Sequence, residues 1–501
     1  ASALEGNVSA ALWVLNIAAL GGSRVLYRLL KDHKNREATI DSKGAFPTKN
    51  AIIFGTTDEA ELFIRQTQRQ SRSEYKIIGV LDEKPSRKGL FIHGVEVLGT
   101  LQDLEYILDM QDHIDALILA RPYISPSRIK KFLEIGNENN IVIKRLPAAT
   151  EMASTLNTAV QARPISIEDL LSRPKKNLNR PAMAALIKGQ HVLVTGAGGS
   201  IGSELVRQIS CFNPSHICLV DHAEFLLYTI DRELHEKHPD LSRSIALCDV
   251  GDAKRVLHIM KQEKPTLVFH AAAIKHVPIA EENPCETILT NAIGTRNVAN
   301  SCERLGVKTM VLVSTDKAIN PPNIMGATKR LAESYCQALN LETTSLKEES
   351  STRFITVRFG NVLGSSGSVV PLFKKQIAQG GPVTITHPDV TRYFMTISEA
   401  LELILQAAAL GTQSLSLKGQ IFVLDMGDPV KIIDLARQMI QLSGYQPDTD
   451  IAINITGLRP GEKLYEELLA SNFKIIEWSE TWFDKIELLK SVSVFVKENI
   501  C

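Results

Sequence analysis

The chain has 501 residues, of which 44% are hydrophobic and 22% charged, and this composition predicts two or three globular domains. Lys plus Arg number 56 and Asp plus Glu also number 56, so the chain lacks the basic excess that binds a nucleic-acid backbone. The seven cysteines form no CxxC pair, which argues against a disulfide framework and against a zinc site. We therefore expect a protein of a reducing compartment that binds neither metal nor nucleic acid.

The N-terminal segment, residues 1–48, contains an apolar run at 8–20 (VSAALWVLNIAAL) that is too short to cross a bilayer. Basic residues follow it directly, which is typical of the end of a membrane span. Two interpretations stay open at this point: the remnant of a membrane segment with its linker, or an amphipathic surface helix, which the composition slightly favours.

Residues 49–150 alternate between strand-like and helix-like segments. AIIFG and YKIIGVLD are typical of buried strands, and residues 58–70 between them are typical of a helix. This alternation predicts a small Rossmann-like α/β domain. Its first strand ends in GTTDEAE, which has a single glycine and so offers no glycine-rich turn for a phosphate. We expect a structural or regulatory role for this domain.

A second and larger α/β domain is predicted at residues 189–475. Residues 151–188 contain three prolines and a basic patch, which indicates a surface linker. From HVLVTG onward, six strand units alternate with helices, which predicts a doubly wound Rossmann sheet followed by a smaller α/β substrate lobe. Residues 476–501 form a C-terminal tail.

A dinucleotide site is predicted at the first turn of this domain. Gly196, Gly199 and Gly202 lie at three-residue spacing between a strand and a helix, where missing side chains let a pyrophosphate approach the helix N-terminus. Asp221 ends the next strand, where its carboxylate suits ribose hydroxyls and repels a 2′-phosphate, so NAD is favoured over NADP. The alternative for Asp221 is an ordinary turn residue. The predicted cofactor contacts are Gly196, Gly199, Ser200, Ile201, Gly202, Asp221, Asp249, Val250, Ala271, Ala272, Ala273 and Lys329.

The segment VLVSTDKAINPPNIMGATK, residues 311–329, has the highest density of chemically reactive side chains. A strand leads into Thr315, Asp316 and Lys317, and a helix follows in which Met325 and Lys329 are one turn apart. A methionine cannot exchange a proton. An isolated Asp-Lys dipeptide is usually a surface ion pair, but its position after a strand and before this helix favours a catalytic role.

Five motifs resemble one family: TGAGGSIGSELVRQI, AAAIKHVPIAE, STDKAINPPNIMGATK, RFGNVLGSSGSVVPLF and TGLRPGEKLYEEL. They are similar to the large, membrane-associated UDP-N-acetylglucosamine 4,6-dehydratases, a CapD-like polysaccharide biosynthesis family of the extended short-chain dehydrogenase superfamily. The resemblance covers about residues 165–470. In most of that superfamily the position of Met325 is a tyrosine, and methionine is typical of the large class.

The resemblance implies a reaction and roles for the catalytic residues. UDP-GlcNAc would be converted to UDP-2-acetamido-2,6-dideoxy-hexos-4-ulose by internal hydride transfer through bound NAD. Asp316 would be the acid for the leaving water, Lys317 the base at C5, and Thr315 would help with the C4 hydroxyl proton. Lys329 would bind the nicotinamide ribose. An adjacent Asp and Lys hold each other in the charged form, so burial must oppose this pairing.

A UDP-N-acetylhexosamine substrate is expected beside these residues. Arg459 is suited to a diphosphate because a guanidinium offers paired donors. Arg392 is equally consistent with a stacked structural residue, and His276 with a structural or a substrate role. The predicted substrate contacts are Lys275, His276, Asn291, Arg358, Asn361, Ser365, Ser368, Arg392, Arg459 and Glu462.

The resemblance also implies a cellular setting. We expect a bacterial inner-membrane protein whose catalytic domain faces the cytoplasm and serves polysaccharide, lipopolysaccharide or glycan synthesis. This chain would be a soluble, truncated form that lacks most of the N-terminal membrane helices, and a homodimer through Rossmann helices is the default assembly.

Two rival functions stay open. A UDP-hexosamine 4-epimerase would return the hydride to C4 and need no acid at C6, and a non-catalytic nucleotide-sugar sensor would explain the missing tyrosine. Asp316 beside Lys317 favours elimination over epimerisation, and retention of Lys317 and Lys329 weighs against the sensor. The choice between gluco and galacto substrate, and between retention and inversion at C5, is left open by the sequence.

Overall fold

The computed structural model describes residues 48–468, except 71–72, 111–112, 122, 148–160, 172–177, 346–351 and 415–416. The chain divides into two compact units, residues 1–165 and 166–501, which are described separately. The predicted N-terminal remnant (1–48, apart from its last residue) and the C-terminal tail (476–501) lie outside the described residues.

The first unit is a seven-stranded sheet with helices packed on it. Its strands are β1 (Lys49–Phe54), β2 (Tyr75–Leu81), β3 (Phe91–Ile92), β4 (Val95–Gly99), β5 (Ala116–Leu119), β6 (Val142–Arg145) and β7 (Arg163–Pro164). The spatial order is β3-β4-β2-β1-β5-β6-β7, with antiparallel pairs only at the two edges, β3 with β4 and β6 with β7. The helices are α1 (Asp58–Arg69), α2 (Leu104–Met110) and α3 (Pro126–Glu138).

The apolar strand segments explain why this unit folds as it does. The central strands β1 and β5 are buried on both faces, as expected for parallel strands covered by helices. Thr57 caps α1 by accepting a hydrogen bond from the backbone N–H of Ala60. Three acidic side chains lie in the first turn of α1, where their charge stabilises the helix N-terminus and disfavours an anion.

The second unit is built on a fully parallel sheet. Its strands are β8 (His191–Thr195), β9 (His216–Asp221), β10 (Arg243–Leu247), β11 (Leu267–His270), β12 (Thr309–Thr315), β13 (Arg353–Phe359) and β18 (Ile421–Val423). Their spatial order is β10-β9-β8-β11-β12-β13-β18, so the winding direction reverses between β8 and β11. This is the doubly wound Rossmann order, and the predicted fold class is confirmed. Ligands of such sheets bind at the carboxyl ends of the strands beside that reversal.

Helices cover both faces of this sheet and bury an apolar cluster on each. They are α4 (Ile167–Leu170), α5 (Arg180–Ile187), α6 (Ser200–Ser210), α7 (Glu224–Lys237), α8 (Ala253–Glu263), α9 (Val277–Glu282), α10 (Pro284–Ile288), α11 (Thr295–Arg304), α12 (Ile324–Ser345) and α14 (Ile397–Gln413). A π-helical turn, Leu289–Gly294, joins α10 to α11, and a 3₁₀ turn, Asp316–Ala318, follows β12.

A smaller lobe follows β13 and lies beyond the sheet. It contains three two-stranded ribbons: β14 (Asn361–Val362) with β17 (Phe394–Met395), β15 (Val383–Ile385) with β20 (Ile453–Ile455), and β16 (Thr391–Arg392) with β19 (Val430–Lys431). Its helices are α13 (Val369–Ala378) and α15 (Ile432–Leu442). The chain crosses between sheet and lobe more than once, since α14 and β18 return to the sheet. This return places residues from distant parts of the sequence around one cleft.

The predicted linker at 151–188 differs from the described structure. Strand β7 completes the first sheet, and α4 and α5 belong to the second unit. Met183 and Ile187 of α5 are buried in the core of the second unit, because the apolar residues of AMAALI recur at helical spacing. Pro181 lies in the first turn of α5, where the missing N–H costs no helical hydrogen bond. Among the described residues, no helix is long and apolar enough to span a bilayer.

Candidate active site

The glycine-rich turn between β8 and α6 leaves room for a bound group. Gly196 has a φ of +67°, a conformation that favours glycine, and a Cβ there would lie 2.7 Å from the backbone nitrogen of Ala272. A Cβ on Gly202 would lie 1.9 Å from the carbonyl oxygen of Gly196. Helix α6 then begins at Ser200 with its free backbone N–H groups directed at this turn. The turn therefore fits the pyrophosphate of a dinucleotide.

Asp221 is held at the end of β9 by two backbone N–H groups. Its Oδ2 accepts from Gly198 at 2.8 Å and its Oδ1 from Ala223 at 3.0 Å. The carboxylate is thereby fixed beside the glycine turn, and each oxygen keeps a lone pair for a ribose hydroxyl. Asp249 is exposed at the end of the next strand and accepts from Gly251, while the carbonyl of Val250 accepts from the buried side chain of Asn297.

A cleft of about 690 Å³ runs from the glycine turn, past the carboxyl ends of β11, β12 and β13, into the smaller lobe. The cleft brings together residues that the sequence analysis assigned separately to cofactor, catalysis and substrate. The sequence-predicted residues that line it are Gly196, Gly199, Ser200, Ile201, Gly202, Ala271, Ala273, Lys275, His276, Thr315, Lys317, Met325, Lys329, Asn361, Ser365, Ser368, Arg392, Arg459 and Glu462.

Some sequence-predicted residues lie behind the wall of this cleft instead. Arg358 is buried in a two-pronged ion pair with Glu333, whose Oε1 lies 2.6 Å from the guanidinium Nε. Asn291 is buried in the π-helical turn and bonds both the N–H and the C=O of Ile274. The structure therefore gives these two residues supporting positions and corrects their assignment as substrate contacts. Asp221, Asp249, Val250, Ala272 and Asp316 also lie outside the lining of the cleft.

Lys317 lies between two carboxylates at the centre of the site. Its Nζ is 3.0 Å from Asp316 Oδ1, 3.4 Å from Glu466 Oε1 and 3.0 Å from Asn361 Oδ1. Burial by itself would lower the pKa of Lys317, but the charges of Asp316 and Glu466 outweigh it and leave the pKa above its usual value. The resting site therefore holds an ammonium at position 317.

Asp316 has one oxygen engaged and one free. Its Oδ1 accepts from Lys317 and from the hydroxyl of Thr315 at 2.9 Å, whereas the buried Oδ2 has no hydrogen-bond partner. A Cβ on Gly360 would lie only 3.0 Å from Oδ2, so glycine at that position keeps the space beside this oxygen open. A buried, unpartnered carboxylate oxygen is unusual and suits a group that exchanges a proton with a ligand.

Met325 and Lys329 lie on one face of α12 beside the cleft. Lys329 donates to the carbonyl of Val313 at 2.8 Å, and burial lowers its pKa to about 8. Burial, with the Lys329 charge, also lowers the pKa of His270 to about 3, so this histidine is neutral between Thr195 and Thr295. Met325 is 2% exposed and offers the cleft only a thioether.

The outer part of the cleft is basic. Arg459 is exposed, and its backbone N–H donates to Glu462. Arg392 is buried and donates to the carbonyls of Thr391, Lys463 and Leu464, so most of its donors serve the fold. Burial lowers the pKa of Lys275, and burial with the Lys275 charge lowers that of His276. Arg459 and Lys275 are both exposed in the cleft and are therefore the cations most available to an anionic ligand.

Two functional candidates were missed by the sequence analysis. Glu466, which contacts Lys317, and Glu333, which holds Arg358, were not singled out. Glu466 lies within the motif TGLRPGEKLYEEL, in which only Arg459 and Glu462 were predicted to contact the substrate. Glu333 is two helical turns beyond Met325 on the same face of α12, and that spacing was the available signal. No group of three metal-ligating side chains occurs in the described part of the chain.

Comparison with known proteins agrees with this architecture. A model of the family described as "Polysaccharide biosynthesis protein" matches residues 192–483, which is more than half of the chain. The chain belongs to the polysaccharide biosynthesis protein family. It is 42% identical over 486 residues to "Probable polysaccharide biosynthesis protein EpsC" of Bacillus subtilis, covering 96% of this chain and 77% of that protein.

Members of other functional groups are similar to this chain over little more than half of its length. A Campylobacter jejuni protein named "UDP-N-acetylglucosamine 4,6-dehydratase (inverting)" is 33% identical over 289 residues, covering 57% of this chain and 79% of its own. A Rickettsia typhi protein named "UDP-glucose 4-epimerase" is 35% identical over 283 residues, covering 56% and 77%. This member of the polysaccharide biosynthesis family is therefore related to nucleotide-sugar dehydratases and epimerases.

Proposed function

We propose that this chain is a UDP-N-acetylglucosamine 4,6-dehydratase that works with bound NAD in polysaccharide or glycan synthesis. The observation that carries the proposal is an adjacent carboxylate and amine at the end of β12. Lys317 lines the cleft and contacts the buried Asp316 at 3.0 Å, while Met325 takes the place of a proton-exchanging phenol. Elimination of water needs one acid and one base beside the same sugar. An epimerase needs neither at C5 or C6.

The glycine turn, Asp221 and the end of β11 form the site for NAD. Gly196 and Gly202 supply the open cradle, α6 supplies N–H groups for the pyrophosphate, and Asp221 supplies the ribose acceptor. When bound, NAD supplies the redox chemistry by accepting hydride from C4 of the sugar and returning it to C6. Lys329 keeps a cation beside this region, and the hydroxyl of Thr315 relays the proton of the C4 hydroxyl to solvent.

Asp316 and Lys317 act as the acid and the base of the elimination after one proton has moved from Lys317 to Asp316. In the resting site Lys317 is an ammonium and Asp316 is its partner at 3.0 Å. A substrate that excludes water from the cleft favours the uncharged pair, so the proton moves from Nζ to the carboxylate. Lys317 then takes the C5 proton, the electrons of the C5–H bond form the C5=C6 bond, and Asp316 protonates the departing C6 oxygen to give water. When hydride adds to C6, the Lys317 ammonium returns a proton to C5.

The outer cleft provides for the nucleotide diphosphate. Arg459 is exposed at the mouth and offers paired donors for phosphate oxygens. The serines at 365 and 368 line the cleft and offer hydroxyls to the sugar. Membrane attachment, a cytoplasm-facing catalytic domain and a homodimer stay predictions from the family resemblance, as does a role in lipopolysaccharide synthesis.

One experiment separates the candidate functions. Purified protein is incubated with UDP-GlcNAc without added cofactor, and the sugar is followed by proton NMR. A new C6 methyl doublet is the expected result, because dehydration leaves C6 as a methyl group. An inverted C4 signal would instead establish the epimerase, and an unchanged sugar would favour the non-catalytic sensor.

A further inference from the structure

Glu466 is a buried carboxylate in contact with the proposed base. Its side chain is 3% exposed, and its Oε1 lies 3.4 Å from Lys317 Nζ and 3.6 Å from Arg392 Nε. Its Oε2 is buried and has no hydrogen-bond partner. Burial of a carboxylate costs free energy unless the carboxylate pairs with a cation, and Lys317 and Arg392 are the cations beside Oε1.

The segment that carries Glu466 is anchored to the loop that follows Lys317. The side chain of Asn323 donates to the carbonyl of Gly461 at 2.8 Å, and Lys463 donates to the carbonyl of Ile319 at 2.7 Å. These hydrogen bonds join segments that are far apart in sequence. They hold the segment that carries Glu466 against the loop after Lys317, so the two side chains lie in contact. Glu466, Lys317 and Arg392 also line a second cavity of about 190 Å³.

We propose that Glu466 is a positioning residue that makes Lys317 an effective base for the C5 proton of the sugar. This role rests on the proposed dehydratase function. The two carboxylates beside Lys317 have different roles: Asp316 must carry a proton to the leaving oxygen, whereas Glu466 takes no part in proton transfer to the sugar. During the time that Asp316 is neutral, Glu466 is the carboxylate that still faces Lys317.

The charge balance explains why this second carboxylate matters. When the C5–H bond breaks, its proton adds to Lys317 Nζ and creates an ammonium, while the electron pair moves to C5 and onward to expel the C6 oxygen. A nearby negative charge stabilises the new ammonium. The positive charge of Arg392 opposes this effect, and Asn361 adds a neutral hydrogen-bond acceptor. Glu466 is thus the group that favours proton transfer from C5 to Lys317.

The proposal predicts a defect confined to the steps after oxidation at C4. Glu466→Gln keeps the shape and removes the charge, so kcat should fall about 10- to 100-fold while KM stays within about threefold. Oxidation at C4 needs no help from Glu466, so the variant should accumulate reduced cofactor when UDP-GlcNAc is added. In deuterium oxide it should also label C5 more slowly. Glu466→Asp should recover part of the rate.

Glu467→Gln is the matched control, because Glu467 is partly exposed and pairs with Lys463 and Asn320 outside the cleft. It should turn over like the wild type without accumulating reduced cofactor. If Glu466→Gln behaves like this control, the proposal is overturned. If Glu466→Gln binds NAD but also fails to reduce it, Glu466 acts on an earlier step and the proposal is again overturned. Failure of the wild-type protein to make the 4-keto product would instead reject the dehydratase function itself, and this role with it.

Discussion

Lys317 and Lys329 share one cleft, yet their pKa values shift in opposite directions. Burial acts to lower the pKa of both, but two carboxylates at Lys317 reverse the effect, whereas Lys329 keeps a pKa of about 8. Lys317 is therefore an ammonium that needs a proton acceptor before it can act as a base. In the proposed mechanism Asp316, whose Oδ1 lies 3.0 Å from Lys317 Nζ, is that acceptor.

Replacement of Lys317 by Gln should remove the base at C5. We expect kcat to fall about 10²- to 10⁴-fold, because general base catalysis contributes that much, while NAD remains bound. The measurement is steady-state turnover together with the deuterium content of C5 in the product formed in deuterium oxide. Lys308→Gln serves as control because Lys308 is exposed and away from the cleft. Undiminished C5 labelling in Lys317→Gln would contradict its role.

The pKa of Lys329 should appear in the pH dependence of stability. Its pKa is about 8 in the folded chain and near 10.5 when unfolded, so the unfolded chain binds more protons between these values. This residue therefore makes the free energy of unfolding increase as pH rises from about 8 to about 10.5. Urea titrations across that range should show the increase in the wild type and lose this contribution in Lys329→Met. Parallel pH dependences in the two proteins would contradict the assigned pKa.

At the scale of elements, α12 connects the cleft to its support. Met325, Lys329 and Glu333 recur every four residues and so lie on one face of the helix. The first two line the cleft, and Glu333 fixes Arg358 of β13 and accepts from Ser314 of β12. One helix therefore sets both the chemistry of the cleft and the spacing of the strands below it.

The close approach of α6 to the turn after β8 should be needed for NAD binding. Gly202→Ala places a methyl group where the carbonyl oxygen of Gly196 lies, so the helix must move away from the turn. We expect copurified NAD to fall about tenfold or more, since about 1.4 kcal/mol of lost binding free energy corresponds to tenfold. Cofactor content after purification is the measurement. Ser203→Ala, one residue further along α6, should keep its cofactor, because Ser203 gives up only a hydrogen bond to Arg207.

The strands and the glycine turn were predictable from sequence because their signals are local. Buried parallel strands are continuous apolar runs, and a glycine triplet between strand and helix has one common use. Arg358 and Glu466 were not predictable in this way. Arg358 lies near the end of a strand, as a substrate contact would. Its side chain points away from the cleft because it pairs with Glu333, which lies on a different element. Glu466 reaches Lys317 only because a distant loop folds back.

At the scale of the whole molecule, the described site belongs to the second unit alone. Every residue that lines the cleft lies after residue 165. The first unit repeats the α/β architecture but offers an acidic helix N-terminus where the second offers a glycine turn. The two Rossmann-like sheets therefore differ at the turn that follows their first strands, and a structural or regulatory role for the first unit stays a prediction.

Because Arg459 is exposed and Arg358 is buried, salt should affect substrate binding and stability differently. Dissolved ions screen the exposed guanidinium of Arg459 but have no access to the buried pair of Arg358 and Glu333. Raising sodium chloride from low to molar concentration should therefore raise the KM for a UDP-sugar while the melting temperature changes little. Parallel titrations of turnover and thermal unfolding would test this. Such an enzyme would lose its affinity for the nucleotide sugar at salt concentrations at which it is still folded.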